Sequence, residues 1–310
     1  DKITLEGSYY RNETEDLIDD VKIPAYSGFT SYKENSGATL NEGFEVALTS
    51  TLFQNKDWMV TFMANLSSNR SKITELSEEM NAYNETILAE YEKENSMYKD
   101  VLSRPLILYY EGKSLSAIYA VRSEGIDPAN GKELYYDKNG NYTYDFSYDN
   151  EVICGNTRPK IEGVWGTSLN WKGLSFSLNF RYQLGADVFN EALFNKVENI
   201  STEGLNKNQD KRALYERWKE PGDLVRFKDI ANAASTPMSS RFVQEENVLT
   251  LESVYLGYEF YDGWIQKLGL SNLKVQVSMR DVFRASSIKS ERGISYPFAR
   301  SLEAGLSFNF

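Results

Sequence analysis

Residues 174–183 read Leu-Ser-Phe-Ser-Leu-Asn-Phe-Arg-Tyr-Gln, a strict alternation of apolar and polar side chains. A period of two places the apolar side chains on one face of a β-strand and the polar ones on the other. The same alternation recurs along the chain, at 44–52, 58–66, 161–171, 256–260, 273–280 and 301–310. Alternating strands therefore dominate, and they predict an all-β protein.

The links between these strands are expected to alternate in length. Short links are predicted at 54–57, 172–173 and near 262–263, and long ones at roughly 13–38, 71–160, 185–247 and 284–298. Membrane barrels connect their strands in this way, with tight turns at one rim and long loops at the other. Trp58, Trp171 and Trp264 lie beside the short links, as in an interfacial girdle of aromatic residues. We therefore expect a transmembrane antiparallel β-barrel, its apolar set facing lipid and its polar set facing a wet lumen.

The composition excludes several functional classes. The 310 residues include 34 basic and 45 acidic ones, and the net charge of −11 argues against a nucleic-acid partner. There is no histidine, which excludes Ser-His and Cys-His nucleophiles and HExxH zinc sites, and Cys154 is the single cysteine. No spacing singles out a pair of carboxylates, and we do not expect an enzyme.

Local patterns within the long loops support several further predictions. Apolar residues at helical spacing in 73–99 predict an amphipathic helix, and 209–219 suggests a shorter one before Pro221-Gly222. The residues Asp137, Asn139, Asn141 and Asp145 have the spacing of a calcium loop, but Tyr142 and Tyr148 stand where an EF-hand needs Gly and Glu. A tight Asn-Gly turn is the alternative at this position, and otherwise no cofactor is expected.

Four groups of residues carry a family resemblance, in order along the chain. They are Gly-Ile-Asp-Pro-Ala-Asn-Gly at 125–131, Gly-Asn-Thr-Arg-Pro-Lys at 155–160, Ser-Arg-Phe-Val at 240–243, and Tyr-Pro at 296–297 with Gly-Leu-Ser-Phe at 305–308. The ordered set resembles the closing part of SusC/RagA-type TonB-dependent transporters. Thr157-Arg158 departs from the Pro-containing pair usual in that family.

The alternation accounts for about eight spanning strands, and up to two more are expected within 71–160. The resemblance implies that 1–310, with these eight to ten strands, is the C-terminal part of a plugged barrel of about 22 strands. Short helices would lie in its extracellular loops. The plug domain, the TonB box and the N-terminal strands would belong to an N-terminal portion outside this chain. Strand 299–310 would pair with the first barrel strand in that portion.

The implied function is TonB-dependent import of oligosaccharides or oligopeptides across the bacterial outer membrane. The implied partners are a SusD-like lipoprotein lid, the TonB complex, the glycan or peptide ligand, and outer-membrane lipid. A non-transporting barrel (a pore or adhesin) and a soluble β-rich glycan-binding protein are the alternatives.

The long loops 71–160 and 185–247 are the expected places for lid and ligand contact. Wet aromatic side chains stack on sugar rings, and an arginine fixes hydroxyl or peptide groups. On this ground we name four candidate ligand-binding residues in the loops, Tyr109, Tyr110, Trp218 and Arg226. At the chain end, the resemblance implies that Phe310, with Phe308 in phase, is a signal read by the barrel-assembly machinery.

Overall fold

In a computed structural model, the structure describes residues 2–15, 18–22, 31–35, 37–91, 105, 108–200, 208–261, 263–289 and 300–310. The strands, numbered in chain order, are β1 (Ile3–Thr14), β2 (Ile18–Lys22), β3 (Ser31–Asn35), β4 (Ala38–Gln54), β5 (Trp58–Glu75), β6 (Ala117–Val121), β7 (Ser123–Ile126), β8 (Glu133–Tyr136), β9 (Tyr142–Thr143), β10 (Glu151–Asn156), β11 (Ile161–Trp171), β12 (Leu174–Phe189), β13 (Val243–Phe260), β14 (Asn272–Ser286) and β15 (Ser301–Asn309). The α-helices are α1 (Glu78–Tyr91), α2 (Glu191–Leu193) and α3 (Gly263–Gln266). Single turns of 3₁₀-helix occur at Tyr148–Asn150, Lys211–Leu214 and Ser240–Phe242, and a π-turn at Phe194–Glu198.

One antiparallel sheet forms the body of the molecule. Its eight strands follow the order β1-β4-β5-β11-β12-β13-β14-β15. The remaining strands pair in small separate sheets, β2 with β3, β6 with β10, and β7, β8 and β9 together. Strand β6 is buried at every position and so lacks the two-sided pattern of a barrel wall. Strands β6 to β10 within 71–160 therefore do not join the wall, and the described part of the chain contributes eight long strands to it.

The strand register brings the apolar residues into continuous rows. One row crosses seven strands at directly paired positions: Leu5, Leu48, Ala64, Trp165, Phe180, Leu251 and Phe283. A polar row lies on the opposite face, at Thr61, Ser168, Ser177, Tyr255, Ser278 and Glu303. Members of the apolar set stay open to the surroundings, and Leu5 is 69% exposed. The soluble alternative required this set to be buried between two sheets, so that alternative is wrong. Continuous rows of exposed apolar side chains are what a barrel face in contact with lipid needs.

Short links close one end of the sheet. Lys172 and Gly173 both have positive φ, as a two-residue hairpin turn requires, and a side chain on Gly173 would approach the Glu259 carbonyl to 2.4 Å. The Trp58 and Trp171 rings stack beside this turn, with centroids 5.1 Å apart. The link after β13 contains α3 and is longer than predicted; Asp262 lies outside the described residues.

The long loops pack into a layer at the opposite end, here called the cap, formed by the described residues of 76–156 and 190–242. Its apolar core consists of Ile87, Leu108, Ala117, Tyr119, Leu193, Phe194, Val197, Ala213, Phe227, Met238 and Phe242. The helix predicted over 73–99 is α1, which begins only at Glu78 because β5 extends to Glu75, and 92–99 lie outside the described residues. No helix within the described ranges is long and apolar enough to cross a membrane.

The helix predicted over 209–219 is wrong. Only Lys211–Leu214 forms a 3₁₀ turn, and Glu216 then takes a positive φ of 54°. The buried Arg217 side chain donates to three main-chain carbonyls of the cap, those of Ala213, Lys228 and Val197. These tertiary hydrogen bonds hold the segment extended, and they override its helical propensity.

Candidate functional site

The cap rests on the ends of β12 and β13, which extend past the neighbouring strands at the end of the sheet opposite the short links. Asn190 fixes the junction, since its N–H donates to the Phe242 carbonyl at 2.8 Å and its side chain accepts from the N–H of Leu193 at 3.1 Å. The Phe194 ring packs edge-on against Phe242 and also contacts Phe189, with centroids 5.0 and 5.4 Å apart. The barrel strands thus hold the cap loops on a rigid support.

An ionic centre lies inside the cap. The Arg241 guanidinium donates to Glu133 Oε2 and to Glu198 Oε1, each at 2.7 Å. Its other amino group donates to the main-chain carbonyl of Arg226, also at 2.7 Å. The side chains of Arg241, Glu133 and Glu198 are only 10%, 5% and 0% exposed. The centre therefore joins three chain segments that are far apart in sequence.

Additional polar groups surround the ionic centre. Ser239 donates to Glu133, and Thr236 donates to Glu198 at 2.9 Å. Burial alone would lower the pKa of Arg241, but the attraction and hydrogen bonds of Glu133 and Glu198 raise it above its ordinary value. The guanidinium is therefore a fixed positive charge that sets the shape of the loops.

A second layer of cations lies beside this centre. Burial lowers the pKa of Arg217 and of Lys228, against the attraction of Glu198. Lys228 donates to the Ala234 carbonyl, and its side-chain nitrogen lies 3.5 Å from Asn199 Oδ1. Both cations are committed to holding loops together, and this arrangement supplies a rigid scaffold.

The four sequence-predicted ligand residues fall in two parts of the cap. Tyr109 is tied by its main chain to the side chain of Asn84, and Tyr110 packs on Tyr119 with ring centroids 5.3 Å apart. Trp218 donates from Nε1 to the Pro128 carbonyl at 3.0 Å. The ring of Trp218 is also tightly packed against a glycine, as a Cβ on Gly131 would lie 2.5 Å from its Cδ2.

Arg226 lies in the same part of the cap as Trp218. Its side chain is 3.7 Å from the Glu216 carboxylate at an exposed position, and its N–H donates to the Glu216 carbonyl at 3.1 Å. The tyrosine pair and the Trp218–Arg226 region thus have separate surroundings. The role of these four residues in ligand binding stays a prediction.

Sequence reasoning missed a group of tyrosines on the β7-β8-β9 sheet. Tyr142 and Tyr144 are 61% and 46% exposed. The Tyr136 ring lies 5.0 Å from that of Tyr142 and 4.5 Å from the Arg122 guanidinium carbon. Alternate tyrosines on both sides of the predicted Asn-Gly turn were the available signal. Such rings present wet aromatic surface of the kind that stacks on sugars.

The residues of the possible calcium loop form a turn. Asp137 Oδ1 accepts the main-chain N–H groups of Asn139 and Asn141 at 2.8 Å, and Oδ2 accepts the Asn141 side-chain amide at 3.1 Å. These bonds, chiefly those from Asn141, lower the pKa of Asp137, and Gly140 takes a positive φ. These donors hold the segment in the tight turn that was the alternative at this position, and calcium binding by Asp137, Asn139, Asn141 and Asp145 stays a prediction. Within the described ranges, no cluster of three or more His, Cys, Asp or Glu residues could hold a metal ion.

Comparison with known proteins identifies TonB-dependent receptors as relatives of this chain. No family model matches the chain. TonB-dependent receptor P39 of Formosa agariphila is 23% identical over 91% of this chain and 30% of the relative. TonB-dependent receptor SusC of Bacteroides thetaiotaomicron is 25% identical over 97% of this chain and 29% of the relative. The chain thus spans about three tenths of the length of these curated relatives.

The solved structures agree with the strand arrangement. The RagAB peptide transporter superposes with a TM-score of 0.71 at 23% identity, covering 93% of this chain and 30% of its own. The RagAB peptide importer in its closed-closed state gives 0.70 at 25% identity, with the same coverage. The eight-stranded antiparallel sheet thus has the fold of part of an outer-membrane β-barrel. Over about nine tenths of its length the chain is thus similar to one part of TonB-dependent receptors, SusC among them, and its sheet has the fold of the corresponding part of RagAB.

Proposed function

We propose that this chain forms part of the wall and the extracellular loops of a TonB-dependent importer. Its cargo would be oligosaccharides or oligopeptides, carried across the outer membrane. The observation that carries the proposal is the similarity of about nine tenths of the chain to proteins named as TonB-dependent receptors. The transporter barrel of RagAB supports the same wall architecture.

The cap supports a role in ligand and partner contact. It combines a scaffold of buried charges with exposed tyrosines, and loops held on a rigid frame are well suited to binding. A SusD-like lipoprotein would cover this layer, a proposal supported by the similarity to SusC and to the RagAB peptide transporter. The plug, the TonB box and the N-terminal strands would belong to the remaining length of the receptor, so that 1–310 is one barrel segment within the whole.

The last strand fits an assembly role. Phe308 and Phe310 lie in phase on β15 and its end, with ring centroids 5.6 Å apart, and Phe310 is 89% exposed. An exposed aromatic at the end of a strand can be read by an assembly factor that pairs with that strand. We propose this pair as the barrel-assembly signal.

Uptake by intact cells tests the function. Cells producing the receptor should accumulate a fluorescent ligand, and the accumulation should stop when TonB is inactivated or a protonophore is added. The lipoprotein should co-purify with the receptor in mild detergent. Accumulation that survives the loss of TonB would indicate a passive pore, and surface binding without accumulation would indicate an adhesin.

A further inference from the structure

A cleft opens where β5 and β11 separate, at the cap end of the sheet. The two strands are paired from Trp58↔Trp171 as far as Ser67↔Glu162. Beyond Ser67, β5 continues beside β4 to Glu75, and the space left next to it is a cleft of about 450 Å³. The segment that leads into β11 forms the opposite wall. The position of the cleft is thus determined by where the pairing of β5 with β11 stops.

Positive charge dominates the lining of this cleft. Four cations, Arg70, Lys72, Arg158 and Lys160, line it together with two acids. Lys160 pairs with Glu245 at 3.5 Å, outside the cleft. Among the residues that the structure describes, Arg70, Lys72 and Arg158 have no carboxylate oxygen within the 4.0 Å of an ion pair. This excess stands out in a chain whose net charge is −11.

The two acids do not neutralise the cleft. Asp187 is engaged by the main chain, since its Oδ2 accepts the N–H of Asn156 at 2.9 Å. Glu42 is the cross-strand neighbour of Arg70 in the β4–β5 ladder but forms no ion pair with it. Unpaired cations around a cavity attract an anion, and the attraction strengthens where water is partly displaced.

The cleft also contains an unused acceptor. Asn69 Oδ1 is buried and has no hydrogen-bond partner among the described residues. The hydroxyl groups of Ser68, Ser71 and Ser114 lie in the same lining, which has few apolar side chains. A buried polar atom without a partner costs free energy unless a ligand or water satisfies it. A ligand rich in hydroxyl groups would meet both the orphan acceptor and the serines.

We propose that this cleft binds the carboxylate of a sugar acid within an acidic oligosaccharide. The inference rests on the proposed import function and names the ligand class. The cations of β5 and of the segment before β11 hold the carboxylate, and Asn69 and the serines hydrogen-bond the ring hydroxyls. The polar lining favours a saccharide over a peptide with apolar side chains.

Calorimetry on the detergent-purified receptor, with all of its natural sequence, tests the assignment. The probes are tetragalacturonate, the neutral galactotetraose, and tetra-alanine with a free carboxylate. We expect tetragalacturonate to bind at least about tenfold more tightly than the other two at low ionic strength, and to weaken as salt screens the cations. Arg158→Gln and Lys72→Gln should each weaken its binding about tenfold, whereas Lys267→Gln, a cation at the short-link end of the sheet, should leave it unchanged.

Three results would overturn the assignment: no binding of tetragalacturonate, equal binding of the neutral probe, or unchanged affinity in the Arg158→Gln and Lys72→Gln variants. Equal binding of tetra-alanine would show that the site binds carboxylates in general and would refute the assignment of a saccharide ligand. The uptake assay separates this proposal from the function. Charge-selective binding without TonB-dependent uptake would refute only the importer, and TonB-dependent uptake without charge selectivity would refute only the cleft.

Discussion

Replacing Arg241 by methionine should open the cap without unfolding the barrel wall. Methionine keeps much of the side-chain volume but removes all three hydrogen bonds of the guanidinium, each 2.7 Å long. Two carboxylates, those of Glu133 and Glu198, then stay buried with no cation between them. Breaking a buried pair from one side costs about 3–5 kcal/mol, because the remaining charge is uncompensated.

The expected loss of local stability is about 4 kcal/mol, equivalent to roughly a thousandfold rise in the population of open cap. Hydrogen exchange followed by mass spectrometry measures this population peptide by peptide. Peptides from the cap should exchange faster by about that factor. Peptides from β12 should stay protected, because their ladders to β11 and β13 do not involve the ionic centre.

Arg181→Met is the matched control. Arg181 also pairs with a glutamate, its Nε lying 2.6 Å from Glu252 Oε1, but its side chain is 55% exposed. Losing an exposed pair costs less than about 1 kcal/mol, so exchange should change by less than about fivefold. Arg241→Lys keeps the charge and should recover part of the protection. Equal exchange in Arg241→Met and Arg181→Met would refute the view that the buried ionic centre holds the cap together.

Three other predictions concern the cap and the last strand. Burial raises the pKa of Glu151 to about 7 from its ordinary 4.5, so its contribution to stability is complete below about pH 4.5 and is lost as the pH rises through 7. Glu151→Gln should remove about 2–3 kcal/mol of the fall in the free energy of unfolding over that range, measured as a smaller fall of the thermal midpoint, and an unchanged slope would contradict the burial argument. Gly131→Ala should displace the Trp218 ring, shift its fluorescence and cost about 1–3 kcal/mol, whereas Gly140→Ala, also at positive φ but with nothing within 4 Å, should show only backbone strain. Phe310→Ala should lower the amount of receptor in isolated outer membranes several-fold with no change in synthesis, and normal levels would exclude an assembly signal.

The wall of the fold was predictable from sequence because its signal is local. The alternation in 174–183 alone defines which side chains of β12 share a face, and the structure confirms that face in the row from Leu5 to Phe283. The Lys172-Gly173 turn likewise needs only two residues of positive φ. Such features depend on neighbours within one strand or one turn.

The cap was not predictable in the same way because its contacts are long-range. Arg217 holds an extended segment through the carbonyls of Lys228 and Val197 elsewhere in the cap, so a helical composition at 209–219 misled the prediction. Arg241 and Glu133 are 108 positions apart, and no local sequence pattern predicts that they pair. The cleft could not be predicted either, because only the register of β5 against β11 shows that Arg70 and Arg158 line the same cavity.

The length of β13 determines how far from the bilayer the loops operate. Its 18 residues extend for roughly 60 Å at about 3.4 Å each, and a tilt of about 40° leaves about 45 Å of vertical height. The hydrocarbon-facing band of such a barrel is only about 25 Å tall. Roughly 20 Å of strand therefore extends above the hydrocarbon layer and raises the cap away from it. A bulky polymer chain could approach the cap from the side, clear of the lipid headgroups, and antibodies against cap residues should label intact cells.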